Sequence, residues 1–469
     1  MKILRTVIGL LSLSVLWACS DSSSGSAPIS PPPPDPDPVA TVQVVHASSN
    51  APAVNVTAGG AILYGDVDYK ESQAPKTLPD GTTADITVDA ILPDDTTLTV
   101  IDLPGQTFEG DTIYTIFAVG NVGDVGATAL QTVALTRSVF FVPSDTVRAS
   151  AVHAAAGAPP VDIYVSEAGL ALETIAPING ATPVAFTDSL GPLELTEGVY
   201  QIRVTLAGDT DGLVFDSGPI TLDGGIDPII AAVDNTNAGS ESPISILLVS
   251  RVGVSEVQDI LTTAELRATH AVPDVGAPVD VLVDGEIAVP DFDFTDVAGP
   301  LPLAAGSYVF QVALNGQVVI NGDVPPESST LAEGGYYDAI AVGSLTLDNL
   351  GLLAVADDRR RVATAGKLRV IHGSPSTDLV DLYIVDSAIV DITAEDPFAS
   401  DVPYLFNSGY LEVTPGTYNI YITPAGTKDI AIAAEGINLG ASGIYTAIAR
   451  DPIAPATELG LILLDDLAP

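Results

Sequence analysis

Hydrophobic residues in this chain come in short runs that alternate with polar ones. Val161-Asp162-Ile163-Tyr164-Val165, Tyr200-Gln201-Ile202-Arg203-Val204 and Tyr418-Asn419-Ile420-Tyr421-Ile422 repeat every second residue, the pattern of strands with one buried face. Turn pairs punctuate them: Asp80-Gly81, Glu197-Gly198, Asn315-Gly316 and Pro415-Gly416. The apolar residues are chiefly Val, Ile, Leu and Ala, interrupted by 42 Gly and 36 Pro. Few windows keep a helical period, and residues 254–266 (VSEVQDILTTAEL) are the best helix candidate. The pattern predicts an all-β protein of packed antiparallel, Ig-like sandwiches.

The strands belong to a unit that recurs four times. All four histidines, His46, His153, His270 and His372, occupy the same place in it: VVHASSNAPAVNV, AVHAAAGAPPVDIYV, ATHAVPDVGAPVDVLV and VIHGSPSTDLVDLYI. They lie 107, 117 and 102 residues apart, a spacing that suits one small domain of ~100 residues per copy. Nine residues beyond the histidine, ten in the third copy, stands Asn55, Asp162, Asp280 or Asp381. A Gly-x-Tyr follows in three copies (Gly198/Tyr200, Gly306/Tyr308, Gly416/Tyr418). Later strands read YTIFAVG (114–120), YDAIAVG (337–343) and YTAIARD (445–451), and the second copy has IIAAVDN (229–235) instead. The expected modules are 41–145, 146–262, 263–362 and 363–469.

These landmarks resemble the bacterial domain of unknown function 4397, whose members open on a VVHASPDAPAVDVYVDG-like stretch. The resemblance runs from about residue 41 to 469, and the fourth copy (VIHGSPSTDLVDLYI, TPGTYNIYITPAG) fits best. It implies an exported, tandem β-sandwich module and brings no activity with it.

The N-terminus supplies an address. Lys2 and Arg5 precede an apolar run from Val7 to Leu16 that ends in Leu16-Trp17-Ala18-Cys19. At ~10 residues the run is too short to span a bilayer. Cys19 is the one cysteine, and the pattern resembles a bacterial lipobox. Residues 1–19 are therefore expected to be a lipoprotein signal and Cys19 the acylated, palmitate-bearing residue. Ser20 after it implies the outer membrane of a Gram-negative cell, facing either the periplasm or the exterior. Residues 20–40 (SDSSSGSAPISPPPPDPDPVA) have almost nothing to bury and read as a disordered tether.

Charge narrows the partners. The chain carries −44 at pH 7, with 16 Lys and Arg against 60 Asp and Glu, so nucleic acid is excluded as a partner because each phosphate contact needs a cation. The acids are dispersed, which keeps an exported protein soluble and monomeric. Arg359-Arg360-Arg361, the only basic run, is expected to be an interdomain linker paired with acids such as Asp357 and Asp358.

Candidate chemistry is sparse. His372 shares parity with Leu368 and Val370 while Arg369 points the other way, and Leu266-Arg267-Ala268-Thr269-His270 repeats this. Each imidazole therefore closes the core-facing side of its strand, a structural role that needs hydrogen-bond partners from the following loop or from Asp381 and its equivalents. The competing readings are a His–Asp dyad activating Ser48 or Ser374, and a metal site. Serine is missing at those places in two copies, and one histidine per module falls short of the three or four ligands of zinc. The nearest calcium candidates are Asp209, Asp211 and Asp216, which complete no known loop. No catalytic residue, metal or cofactor is assigned.

Three functional classes follow. The favoured one is a non-catalytic, lipid-anchored envelope protein whose sandwiches serve surface structure, adhesion or ligand display. The second is a module that binds extracellular polysaccharide or peptide. The third is a hydrolase with an unrecognised site.

Overall fold

A computed structural model describes residues 37–469 apart from 140, 325–329, 454–455 and 468–469. Its regular structure is strand, with two single 3-10 turns (Gly126–Thr128 and Leu172–Thr174) and no α-helix among the described residues. In the fourth module one sheet orders Asn407–Val413, Gly366–His372, Ile444–Arg450 and Gly460–Asp465. The facing sheet orders Ala399–Val402, Val380–Asp386, Gly416–Pro424 and Ile432–Leu439. The first and third modules repeat this pair of four-stranded sheets. The second has five strands on the histidine side and three opposite.

Among the named strands, pairing is antiparallel except at one place in each sandwich. The strand ending in the histidine runs parallel to the later strand that carries YTIFAVG or its equivalent: His46 sits beside Ala118, His153 beside Ala232, His270 beside Ala341 and His372 beside Ala449. The first and last parts of each unit thus meet at the middle of one sheet.

Two expectations are corrected here. Residues 254–266 form no helix: Gly253–Val257 is a strand paired with Ile244–Ser250, and Ala264–His270 is the next histidine strand. Ladder partners on both sides of a short loop outweigh a weak helical period. The tether also ends earlier than residue 40, since Val39 opens the first strand and Ala40 is fully buried in the core.

The histidine strands depart most from simple alternation. Ala40, Val42 and Val44 face the first sandwich's own core, as the parity of His46 requires. The opposite face is buried too, against another module. Val45, Phe117, Val119 and Leu135 of the first sandwich join Val152, Ile229, Ala231, Val233, Leu247 and Val249 of the second in one apolar cluster. Ile340, Val342 and Val355 of the third do the same with Ile371, Ile448, Ile462 and Leu464 of the fourth. The modules are two face-to-face pairs, and a strand such as Gly366–His372 is buried at every position, as in sheets covered on both sides.

Each pair adds a polar patch. Between the third and fourth, Arg267 forks onto Asp338 and reaches Asp466 at 2.7 Å. Arg369 binds Asp338 (2.7 Å), Asp357 and Thr446 Oγ1 (3.0 Å). Between the first and second, Arg137 binds the Asp227 carbonyl (2.6 Å) and Gln43 donates to Ser250 O (2.9 Å). The arginine run does link modules: Arg359 pairs with Asp357, and Arg360 crosses to the first sandwich, onto Asp68 (2.6 Å) and Ala51 O (2.8 Å).

Candidate functional site

The histidines stand where each first strand leaves its sheet, and the ring holds the loop that follows. In the first module the Ser48 amide donates to His46 Nδ1 (3.3 Å) and His46 Nε2 lies 3.0 Å from Pro52 O. In the fourth, Ser374 N donates to His372 Nδ1 (3.4 Å) and Nε2 lies 3.2 Å from Asp378 O. An amide can only donate, so Nδ1 is the bare nitrogen and Nε2 carries the proton that the carbonyl accepts. His153 makes the Nε2 contact to Pro159 O (3.2 Å). His270 makes the Nδ1 contact to Val272 N (3.2 Å) while its Nε2 has no hydrogen-bond partner. The third loop is one residue longer than the others.

An aromatic ring closes each site. Tyr69, Phe186, Phe294 and Tyr404 present their edges to the four histidines at centroid distances of 6.2, 6.4, 6.1 and 6.2 Å. Each precedes a residue with positive φ (Lys70, Thr187, Thr295, Leu405) whose amide donates to the histidine carbonyl. These aromatics went unrecognised in the sequence, because they follow the histidine at unequal distances. The signal that finds them is the recurring set Tyr69-Lys70-Glu71, Phe186-Thr187-Asp188 and Phe294-Thr295-Asp296.

The acids beyond the histidines serve another purpose. Asn55, Asp280 and Asp381 accept from the amides of Asp66 (3.0 Å), Asp291 (3.2 Å) and Asp401 (3.0 Å). All three donors have φ near +50° in irregular edge strands, so the side chain pins a bulge. Asp162 instead binds Asn179 Nδ2 (2.8 Å) and Gly208 N (2.7 Å). No bond joins any of them to its histidine. Asp381 and its equivalents play no part in this: the loop supplies both partners for His46 and His372 and one each for His153 and His270.

Among the described residues the hydroxyl that approaches a histidine ring is Thr377 Oγ1, 3.4 Å from His372 Nε2. That nitrogen holds its proton, and the hydroxyl donates to Ser374 O (3.0 Å), so the imidazole cannot take a proton from it. Ser374 donates to Asp451. The calcium candidates do not converge. Asp209 caps the Asp211 amide in a turn (3.0 Å), while Asp216 holds Gln201 Nε2 (2.7 Å) on a strand. Among the described residues no group of three His, Cys, Asp or Glu is placed to hold a metal. Cys19 lies outside the described residues.

The tyrosines of Gly-x-Tyr are structural as well. Tyr200, Tyr308 and Tyr418 donate to the carbonyls of Thr196 (2.9 Å), Ala304 (2.9 Å) and Thr414 (2.6 Å), four residues upstream, the arrangement of a tyrosine corner. A second Gly-x-Tyr opens the later strand, where a methyl on Gly335 or Gly443 would lie 2.7 or 2.6 Å from the Tyr337 or Tyr445 ring.

The family model for DUF4397, a domain of unknown function, matches residues 40–164, 264–383 and 384–469. The chain belongs to the DUF4397 family. The unmatched stretch of this DUF4397 chain covers most of the second sandwich, which is the module with the altered sheets and without the tyrosine strand. No curated protein matches the sequence.

Two expected results follow from the histidine geometry. His372→Ala leaves a void and strands the Ser374 amide and the Asp378 carbonyl, so it should cost about 1–3 kcal/mol in denaturant unfolding. His372→Gln, which keeps a donor and an acceptor, should cost less, and chelator should leave both melts unchanged. The second concerns acid. Burial pushes His46 and His270 down to about 4, below the ~6.5 of a free imidazole. The unfolded chain then takes up protons first, so their contribution is complete above pH ~6.5 and is lost as pH falls towards 4. Unfolding midpoints measured from pH 7 to 4.5 should fall, and His46→Gln should flatten the slope relative to wild type.

Proposed function

We propose that this protein is a non-catalytic, lipid-anchored component of a bacterial cell envelope, held through Cys19 and presenting a rigid block of paired sandwiches for surface structure, adhesion or ligand display. The observation that carries the reading is that the repeated polar residues are engaged in holding the fold. The histidines bind loops, Asn55, Asp280 and Asp381 pin bulges, and the tyrosines bind their own upstream backbone. Repetition of the frame, without repetition of a reactive pair, supports a scaffold over an enzyme. The surrounding acidity suits an exported block that stays dispersed.

The test is fractionation of the full chain. Wild type is expected in the membrane fraction, with processing blocked by globomycin, and Cys19→Ser should appear in the soluble fraction or remain unprocessed. Membrane association that survives Cys19→Ser would overturn the anchor. A glycan array probed with residues 37–469 addresses the competing reading, since selective retention of one polysaccharide class would replace the scaffold role by glycan binding.

A further inference from the structure

At the histidine end of each sandwich the two sheets part, and the space between them differs among modules. In the fourth module a cavity of about 220 Å³ opens between the sheets, walled by Val380, Ile422, Ile432, Ala449 and Leu459 beside His372 and Thr377. The same end encloses about 60 Å³ in the first module and about 20 Å³ in the third. Register accounts for the contrast with the third module alone. Phe292 and Phe310 line the third module's gap, opposite Val279 and Val283. The matching places in the fourth, opposite Val380 and Ile384, are held by Val402 and Ile420. Smaller side chains there distinguish the fourth module from the third, whereas the first carries the same pair, Val67 and Ile86, and the second keeps about 130 Å³ elsewhere between its sheets.

The cavity has an entrance. Thr377, Asp378, Leu379 and Pro424 are shared with an outer groove of about 750 Å³, whose rim adds Pro375, Pro403 and Tyr404. Prolines and a ring packed on His372 make that rim stiff, so the mouth is formed in advance.

The chemistry of the wall selects the occupant. His372 is neutral and both its nitrogens are engaged, Ser374 is bonded to Asp451, and the Thr377 hydroxyl is bonded to Ser374 O. Neither the cavity nor the groove is lined by Lys or Arg, and Asp378 stands at the mouth. An anionic ligand would find no partner. An apolar cavity of about 150 Å³ is large enough for benzene, so this one has room for a fused bicyclic ring. We propose that the fourth sandwich binds a small, uncharged, hydrophobic molecule about the size of indole between its sheets, admitted through the proline-rimmed mouth. This goes beyond the scaffold role and does not depend on the lipid anchor.

The experiment is calorimetric titration of residues 37–469 with indole, and with indole-3-acetate as the charged comparison. The expected result is saturable binding of one indole per chain, with indole-3-acetate at least about tenfold weaker. Ala449→Leu, which fills the cavity from within, should weaken indole binding by at least about tenfold. Should that variant fail to fold by circular dichroism, Ala431→Leu at the exposed rim is expected to produce the same loss. Absence of saturable binding to wild type, equal affinity for the two probes, or undiminished binding in a folded variant would each overturn the proposal.

Discussion

Replacing Arg369 with Met is expected to destabilise the third and fourth sandwiches together by about 3–5 kcal/mol. The guanidinium is almost wholly buried, binds Asp338 and Asp357 at once, and its plane lies 4.7 Å from the Tyr410 ring centroid. Methionine keeps the stem and removes the charge, leaving two carboxylates with zero side-chain exposure short of a partner. They differ in what holds them. Burial would raise Asp338, but its hydrogen bonds and ion pair with Arg267, then Arg369, hold it below the usual carboxylate range. Asp357 is raised, by burial first and then by the Asp338 charge. Loss of Arg369 removes the main cation opposing that rise, so Asp357 should take up a proton. The double replacement Arg369→Met with Asp357→Leu should recover much of the loss, because a buried ion pair adds little over well-packed apolar groups. Urea unfolding checks both, and a loss below roughly 1 kcal/mol for the single variant would mean that the cluster behaves like an exposed ion pair.

Phe117→Ala is expected to cost about 3–5 kcal/mol. Phe117 is fully buried, yet it points away from its own sandwich core and into the cluster shared with Val152, Ala231 and Val249. Sheets facing each other at the distance of a packed core cannot close over a missing ring without shifting whole strands, so the void persists. The variant should lower the unfolding midpoint of both the first and second sandwiches. By contrast, Phe141 is largely solvent-exposed, and Phe141→Ala should leave both unchanged.

Much of this architecture was legible in the residues. The histidine register gave four modules, and parity placed the imidazoles on the core side of their strands. What escaped was the other face. In Val42-Gln43-Val44-Val45-His46 and Gly366–His372 the outward positions hold Val45 and Ile371 beside Gln43, Lys367 and Arg369, and the two apolar residues do not suit a solvated face. Alternation by itself signals one buried side, and the apolar outward positions are the sign of a second. Arg369 and Asp338, charges in strands of mainly apolar residues, carry the same message, but only their pairing, 31 residues apart, makes it readable. The histidine partners were foreseen in kind and not in identity. The Asn or Asp of each signature is a candidate partner for the ring from sequence, whereas backbone geometry, which no spacing rule reveals, sends Asn55, Asp280 and Asp381 to a bulge and Asp162 to Asn179 and Gly208. The cavity of the fourth module lies between two sheets, with Val380, Ile422 and Ile432 on one side and Ala449 and Leu459 on the other, and a single strand read by itself cannot show it.

Hydrogen exchange on residues 37–469, compared between wild type and Phe117→Ala, measures the pairing of sandwiches most directly. Face-to-face pairing predicts faster exchange in the second sandwich's Ile229–Asp234 strand as well as in Thr112–Val119, with Gly366–His372 and Ile444–Arg450 unchanged. Acceleration confined to the first sandwich would contradict it.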